Sequence, residues 1–206
     1  MHRKGNPLGI YATKSKWQQA LQPIVNFCVA RRIHPDVFIY AALSLSLLAG
    51  FGLFHAGLNV NWLWLVPPCA LLRLLLNLLD GQVARALGIA SPWGEALNEF
   101  GDRIADVLIF LGLGLSDYVN PHLGLFALAA ILCVSYLGIL GKAVGGARVY
   151  GGVFGKGDRM ISLALFTLYP IFTKDLASYN YYLVFAALAA VVTIIQRLRI
   201  IRKSTA

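Results

Sequence analysis

Two short stretches of this chain place acidic and amide side chains within otherwise apolar sequence. They span residues 73–84 and 94–106. A helix advances about 100° per residue, so the polar residues of each stretch share one face. The two faces carry Arg73, Asn77, Asp80, Gly81 and Ala84, and then Gly94, Glu95, Asn98, Glu99, Asp102 and Asp106. Carboxylate and amide oxygens on facing helices are suited to holding a hard cation such as Mg²⁺ beside a phosphate group.

The segment between the two stretches has the composition of a turn. Residues 88–92 read Gly-Ile-Ala-Ser-Pro and are followed by Trp93 and Gly94. Glycine, serine and proline in this arrangement favour a break between two helices. The sequence therefore predicts two helices whose oxygen-rich faces meet near their shared turn.

The spacing of these residues resembles the signature of the CDP-alcohol phosphotransferase family. That signature is Asp-x2-Asp-Gly-x2-Ala-Arg and, after a short gap, Gly-x3-Asp-x3-Asp. The corresponding residues here are Asn77, Asp80, Gly81, Ala84 and Arg85, followed by Gly94, Asn98 and Asp102. All spacings agree, and six of the eight positions carry the family's residue. Asn77 and Asn98 stand where the family has aspartate.

The resemblance implies an enzyme that transfers a phosphatidyl or phospho-alcohol group from a CDP-alcohol to a hydroxyl acceptor and releases CMP. It also implies CDP-diacylglycerol as the usual donor, Mg²⁺ or Mn²⁺ as the cofactor, and a homodimer. Asp102 is the expected general base. The expected metal ligands are Asn77, Asp80, Asn98 and Asp102, with Glu99 as a compensating acid. The expected CDP-binding residues are Asn77, Asp80, Gly81, Ala84, Arg85, Gly94 and Asn98.

The two asparagines leave three interpretations open, because an amide offers a metal an oxygen without a negative charge. In the first, the missing charge is supplied by Glu99, Glu95 or Asp106. In the second, one metal ion binds tightly and a second arrives with the donor. In the third, transferase activity is lost. We favour an active, divergent enzyme, because Asp80 and Asp102 are retained. The alternatives are a catalytically silent scaffold held by ion pairs and a small transporter with an acidic cavity.

The composition is that of a membrane protein. Hydrophobic residues make up 58% of the 206 residues and charged residues 13%, against about 25% charged residues in soluble domains. Residues 37–56 form an uncharged run of the length that spans a bilayer. The net charge of +9 follows the pattern of membrane topology, so we expect no nucleic-acid partner. The three cysteines lie far apart and predict neither a disulfide framework nor a metal site.

An all-α fold with six transmembrane helices is expected, at residues 35–56, 61–86, 93–114, 122–144, 158–172 and 176–197. An amphipathic helix from Lys16 to Val29 is expected to lie on the membrane surface, although packing on the bundle is the alternative. Pro23 and the Pro67-Pro68 pair are expected to kink their helices. Residues 1–34 would then form a basic surface segment and residues 35–206 the catalytic membrane domain, with no cleavable signal peptide.

Lysine and arginine residues predict the orientation in the membrane, which we expect to be a bacterial inner membrane. The N-terminal segment has six of them, residues 142–159 have four and the C-terminal tail has four, whereas the opposite side has only Lys174. Positive residues favour the cytoplasm, so both termini and the site are expected there. Arg148, Lys156 and Arg159 in the glycine-rich segment 142–159 are candidates for binding a polar or phosphorylated acceptor. A flexible loop with positive-inside residues is the alternative.

Overall fold

The computed structural model describes residues 19–205, a part of the chain made of helices and connecting turns without any strand. A short helix, α1 (Gln22–Ala30), precedes six long helices. These are α2 (Asp36–His55), α3 (Val66–Ala86), α4 (Pro92–Gly114), α5 (Pro121–Ala143), α6 (Lys156–Thr173) and α7 (Tyr179–Thr205). The 3₁₀ segments Val60–Leu65 and Leu176–Ser178 lead into α3 and α7. The predicted all-helical class is confirmed.

Prolines begin helices in this structure where the sequence analysis expected kinks. Pro23 lies in the first turn of α1, and Pro67 and Pro68 lie in the first turn of α3. The first turn of a helix tolerates proline, because its backbone N–H groups have no partner within the helix. Helical residues precede both sites, at 19–20 and in the 3₁₀ segment Val60–Leu65, so the expected kinks stay predictions.

A close helix contact lies between α2 and α4 and depends on glycine. A Cβ atom added at Gly112 would collide with the carbonyl oxygen of Gly50, and one added at Gly50 would collide with the carbonyl oxygen of Leu108. The two backbones thus approach without intervening side chains, as small residues allow in membrane helices. Helices α5 and α7 pack together on the other side, and a shared core of buried side chains runs between the two groups.

The outer surface of the bundle is apolar. Exposed side chains include Leu47, Phe126, Leu165 and Tyr181, spread over α2, α5, α6 and α7. Such a surface is far too apolar for contact with water alone. Four segments of residues 19–205 are long and apolar enough to cross a membrane: Asp36–His55, Val60–Ala86, Pro121–Ala143 and Leu176–Ser204. Helices α4 and α6 do not meet this criterion, so the prediction of six spans is supported for four of them.

The N-terminal helix packs partly on the bundle. Leu21, Val25 and Cys28 are buried against a cluster that includes Leu79 and Val83 of α3. The opposite side of α1 carries exposed apolar side chains, among them Ile24 and Phe27. The structure thus shows the packing alternative, and a membrane-surface position for this helix stays a prediction. The part of the predicted helix before residue 19 lies outside the described residues.

The contact between α2 and α4 predicts a steep sensitivity to one methyl group. Gly112→Ala should lower the free energy of unfolding by about 1–3 kcal/mol, because its Cβ meets backbone that cannot rotate away. Gly101→Ala on the same helix is the matched control, because its Cβ meets just the Ile39 side chain, at 3.0 Å. Thermal unfolding of both purified variants in detergent measures the difference. Equal melting temperatures would contradict the assigned contact.

Candidate active site

The turn between α3 and α4 brings their polar faces together. Helix α3 ends next to Gly88, which has a φ of +70° that most side chains disfavour. Helix α4 starts after Ser91, whose hydroxyl oxygen accepts a hydrogen bond from the Gly94 N–H at 3.1 Å. These two local signals fix a short connection. The last turns of α3 and the first turns of α4 consequently lie side by side.

A cavity of about 980 Å³ lies at this end of the bundle. Its walls come from the beginnings of α2, α4 and α6 and from the ends of α3, α5 and α7. Representative lining residues, in that order, are Asp36, Asn98, Lys156, Asp80, Gly138 and Arg197. Successive long helices therefore run in alternating directions, and the cavity forms where their polar ends meet.

The residues singled out in the sequence lie around this one cavity. They include the eight signature positions, the compensating acid and the three candidate acceptor-binding residues. The full set is Asn77, Asp80, Gly81, Ala84, Arg85, Gly94, Asn98, Glu99, Asp102, Arg148, Lys156 and Arg159. The geometry brings together helix positions and a loop that are separated by up to eighty residues in the chain. The contacts of each side chain indicate which chemical role it can have.

Asp102, the expected general base, faces a lysine. The ammonium group of Lys156 donates to Asp102 Oδ1, and Arg103 Nη2 lies 3.9 Å from Asp102 Oδ2. The side chains of Lys156 and Asp102 are 13% and 8% exposed, so the pair is largely shielded from water. Lys156, predicted as an acceptor-binding residue, thus lies at the centre of the candidate catalytic group.

Glu99, predicted as a compensating metal ligand, is held by two guanidinium groups. Its Oε2 accepts from Arg103 Nη1 at 3.2 Å, and its Oε1 lies against Arg148 Nη1. Glu95 at the mouth of the cavity accepts two hydrogen bonds from Lys142 Nζ, at 2.7 and 2.8 Å. A cation would have to displace arginine or lysine to reach either glutamate.

Asp106, the other candidate for supplying charge, lies beneath the cavity and is fully enclosed. Arg73 Nη2 donates to its Oδ1 at 3.2 Å and Arg159 Nη2 to its Oδ2 at 2.6 Å. Arg159 also donates to the carbonyl oxygen of Phe154 at 3.4 Å. Arg159 lines the cavity but is 1% exposed. The contacts of Arg159 are those of a structural residue, which leaves Arg148 as the more accessible candidate for the acceptor.

The signature positions also supply oxygens of the kind that a cation binds. Asp80 and Asp102 supply carboxylates, and the Oδ1 atom of Asn98 is buried without a hydrogen-bond partner among residues 19–205. Asn77 uses its amide nitrogen to donate to the Arg73 carbonyl oxygen at 2.8 Å. Within the described residues, no group of three or more His, Cys, Asp and Glu side chains is placed to hold a metal ion. This donor set fits a single divalent cation that draws on amide oxygens as well as two carboxylates.

The sequence analysis did not identify two cations that shape the site. Arg73 was counted as one member of a polar face, yet it connects Asp106 to α6 through Met160 Sδ at 2.8 Å. Arg197 was assigned to the basic tail, yet it is buried and donates to the carbonyl oxygens of Gly151, at 2.9 Å, and Val134, at 2.6 Å. An arginine within or beside an apolar helix was the available signal in both cases.

A family model described as CDP-alcohol phosphatidyltransferase matches residues 32–196, which is well over half of the chain. The chain belongs to this family. It is therefore a member of a family of phospholipid-synthesising transferases, and its apolar helices identify it as a membrane protein. The resemblance inferred from the signature is confirmed.

Three relatives illustrate the similarity. The inner membrane protein YnbA of Escherichia coli is 32% identical over 159 residues, covering 77% of this chain and 79% of its own. An archaetidylinositol phosphate synthase of Aeropyrum pernix is 32% identical over 193 residues, covering 90% and 92%. Two crystal structures of a phosphatidylinositol phosphate synthase of Mycobacterium tuberculosis share the fold. The one with manganese and citrate has a TM-score of 0.71 at 25% identity, covering 88% of both chains. The one with CDP-DAG bound has a TM-score of 0.70 at 24% identity, covering 87% of this chain and 92% of the other.

The enclosed Asp106 predicts a large loss of stability on neutralisation. Asp106→Asn should lower the free energy of unfolding by about 3–5 kcal/mol, because it leaves two buried guanidinium groups without a counter-charge. Glu95→Gln is the matched control: its side chain and that of Lys142 are 48% and 55% exposed, and exposed pairs contribute about 0–1 kcal/mol. Thermal unfolding of both variants in detergent distinguishes them. Similar melting temperatures would show that the buried pair does not hold the bundle.

Proposed function

We propose that this chain transfers a phosphatidyl group from CDP-diacylglycerol to the hydroxyl group of a polar acceptor and releases CMP. The observation that carries the proposal is the convergence of all eight signature positions in one cavity at the polar end of an apolar bundle. The cavity volume of about 980 Å³ falls within the usual range for ligand pockets, about 300–1,000 Å³. A substrate with a nucleotide head and lipid tails matches such a site.

The cavity is lined by both apolar and small residues, as this donor requires. Leucines of α3 between residues 71 and 78 line it, and Leu71 is also exposed on the surface of the bundle. Gly81 and Gly94 line it as well, and their lack of a side chain lets a nucleotide approach the backbone. Arg85 is exposed there and supplies a positive charge for the diphosphate. The M. tuberculosis relative was crystallised with CDP-DAG bound, which supports the same donor class.

The proposed cofactor is Mg²⁺ or Mn²⁺, held by the carboxylates of Asp80 and Asp102 and the amide oxygens of Asn77 and Asn98. A relative of the same fold was crystallised with manganese. When bound, the ion supplies positive charge that stabilises the diphosphate as CMP leaves. Glu99 is excluded from the proposed ligands because its oxygens face Arg103 and Arg148.

Asp102 is the proposed general base. The acceptor oxygen forms a bond to the phosphorus that carries the lipid, and the bond from that phosphorus to the bridging oxygen of the diphosphate breaks. The proton of the acceptor hydroxyl passes to Asp102, which must therefore be ionised. Lys156 and Arg103 both lie against this carboxylate.

Arg148 is the proposed contact for an acceptor that carries a phosphate group. It is partly exposed, lines the cavity and lies opposite Glu99. A guanidinium group matches the geometry of phosphate oxygens. A phosphorylated polyol is therefore the acceptor class that we propose, and the names of the archaeal and mycobacterial relatives belong to enzymes that make phosphorylated inositol lipids.

All six long helices are proposed to cross the membrane, with the cavity and both termini on the cytoplasmic side, and the resemblance favours a homodimer. The support is the alternation of helix ends around the cavity and the distribution of basic residues. A catalytically silent scaffold is the second candidate. The observation that favours it is that Glu95, Glu99, Asp102 and Asp106 all have cationic partners.

Release of CMP decides between the two candidates. Purified protein in lipid with CDP-diacylglycerol, Mn²⁺ and a mixture of polyols and their phosphates should release CMP. Asp102→Asn should lower the rate at least about 100-fold, because general-base catalysis contributes about 10²–10⁴-fold. Asp175→Asn, in an exposed turn away from the cavity, should keep the native rate. Release that requires aspartate to be restored at both Asn77 and Asn98 would favour the silent scaffold.

The acceptor site predicts a change in substrate binding on loss of Arg148. Arg148→Gln should raise the KM for a phosphorylated polyol about tenfold or more, because hydrogen bonds to charged groups contribute about 1.5–3 kcal/mol. The KM for CDP-diacylglycerol should change much less. Steady-state kinetics with each substrate varied in turn measures both values. An unchanged acceptor KM, or a preference for the unphosphorylated polyol in the native enzyme, would contradict this assignment.

A further inference from the structure

Lys156 holds a positive charge at a fixed position in the site. It is the first residue of α6, and its ammonium group contacts the Asp102 carboxylate at low exposure. The Gly155 N–H donates to Asp158 Oδ2 at 2.9 Å and caps the start of this helix. The preceding Phe154 N–H donates to Thr193 Oγ1 of α7 at 3.0 Å. The lysine thus extends from an anchored backbone.

The negative charge available near Lys156 is small. Two signature positions hold asparagine, so Asp80 and Asp102 are the carboxylates that remain among them. Glu99 and Asp106 are occupied by arginines. With two divalent ions, the site would hold five positive charges, four from the ions and one from Lys156. The carboxylates of Asp80 and Asp102 would supply two negative charges before any substrate binds. One divalent ion with Lys156 leaves a single excess positive charge, which suits an incoming diphosphate.

We propose that Lys156 acts as a fixed cation at Asp102, so that each chain binds one divalent ion and uses the lysine ammonium in place of a second. This inference rests on the proposed transferase function. The divalent ion would be held by the carboxylates of Asp80 and Asp102 and by Asn98 Oδ1, which has no hydrogen-bond partner among the described residues. Lys156 is then a residue that sets the metal content of the site, and its assignment as an acceptor ligand is replaced.

Counting bound Mn²⁺ tests the proposal without relying on turnover. The full-length protein in detergent is titrated with MnCl₂ in the presence of CDP, and free Mn²⁺ is measured by electron paramagnetic resonance. The native protein should bind one Mn²⁺ per chain. Lys156→Gln should bind Mn²⁺ about tenfold more tightly or take up a second ion, because the competing cation at Asp102 is gone. Lys156→Arg keeps the charge and should match the native protein in both respects.

The outcomes separate this inference from the proposed activity. Two Mn²⁺ ions per native chain, or none, would overturn it, and this count does not depend on whether any variant folds. Equal Mn²⁺ binding by Lys156→Gln and Lys156→Arg, with both variants monodisperse, would also overturn it. One ion per chain together with CMP release supports both proposals. One ion per chain without CMP release under any acceptor would reject the transferase and leave the metal content as proposed.

Discussion

The enclosed carboxylate of Asp106 is the interaction on which the polar end of this bundle depends. It lies between Arg73 of α3 and Arg159 of α6, while its own backbone belongs to α4, and none of the three side chains is more than 1% exposed. Buried charges are costly unless they are paired, so the three helices are stable only in the arrangement that brings the charges together. The signature residues lie about one to three turns from these anchors along α3 and α4. The ion pairs of Asp106 therefore determine where the signature residues lie.

The same reasoning explains why so many acids are tolerated at one depth. Three of the acids of α4 pair with cations elsewhere in the chain: Glu95 joins α4 to α5, Glu99 joins α4 to the segment after α5, and Asp102 joins α4 to α6. Helix α4 thus carries the acids and, apart from its own Arg103, the elements around it supply the cations. A cavity held by such a frame is largely preformed, which reduces the reorganisation that a charged substrate would otherwise require.

The sequence was sufficient for the helices and for the location of the site, because both depend on local patterns. The linear sequence alone is enough to recognise uncharged runs, the Gly88 turn and the signature spacing. The partners of the charges could not be predicted, because they depend on which helices pack together. Arg159 was predicted to bind the acceptor and Asp106 was one of three acids considered for supplying the missing charge, and the fold pairs the two with each other.

The difference between four apolar spans and six long helices has a physical origin in the cavity. A test of length and composition counts charges without regard to the face on which they lie. The charged half of α4 and the first turn of α6 line the cavity and the ion-pair frame, whereas residues 107–114 of α4 and most of α6 are uncharged. We infer that both helices cross the same layer as their neighbours, since their ends meet the same cavity. On this inference, the polar residues of both helices lie on the face that lines the cavity, where they do not contact lipid.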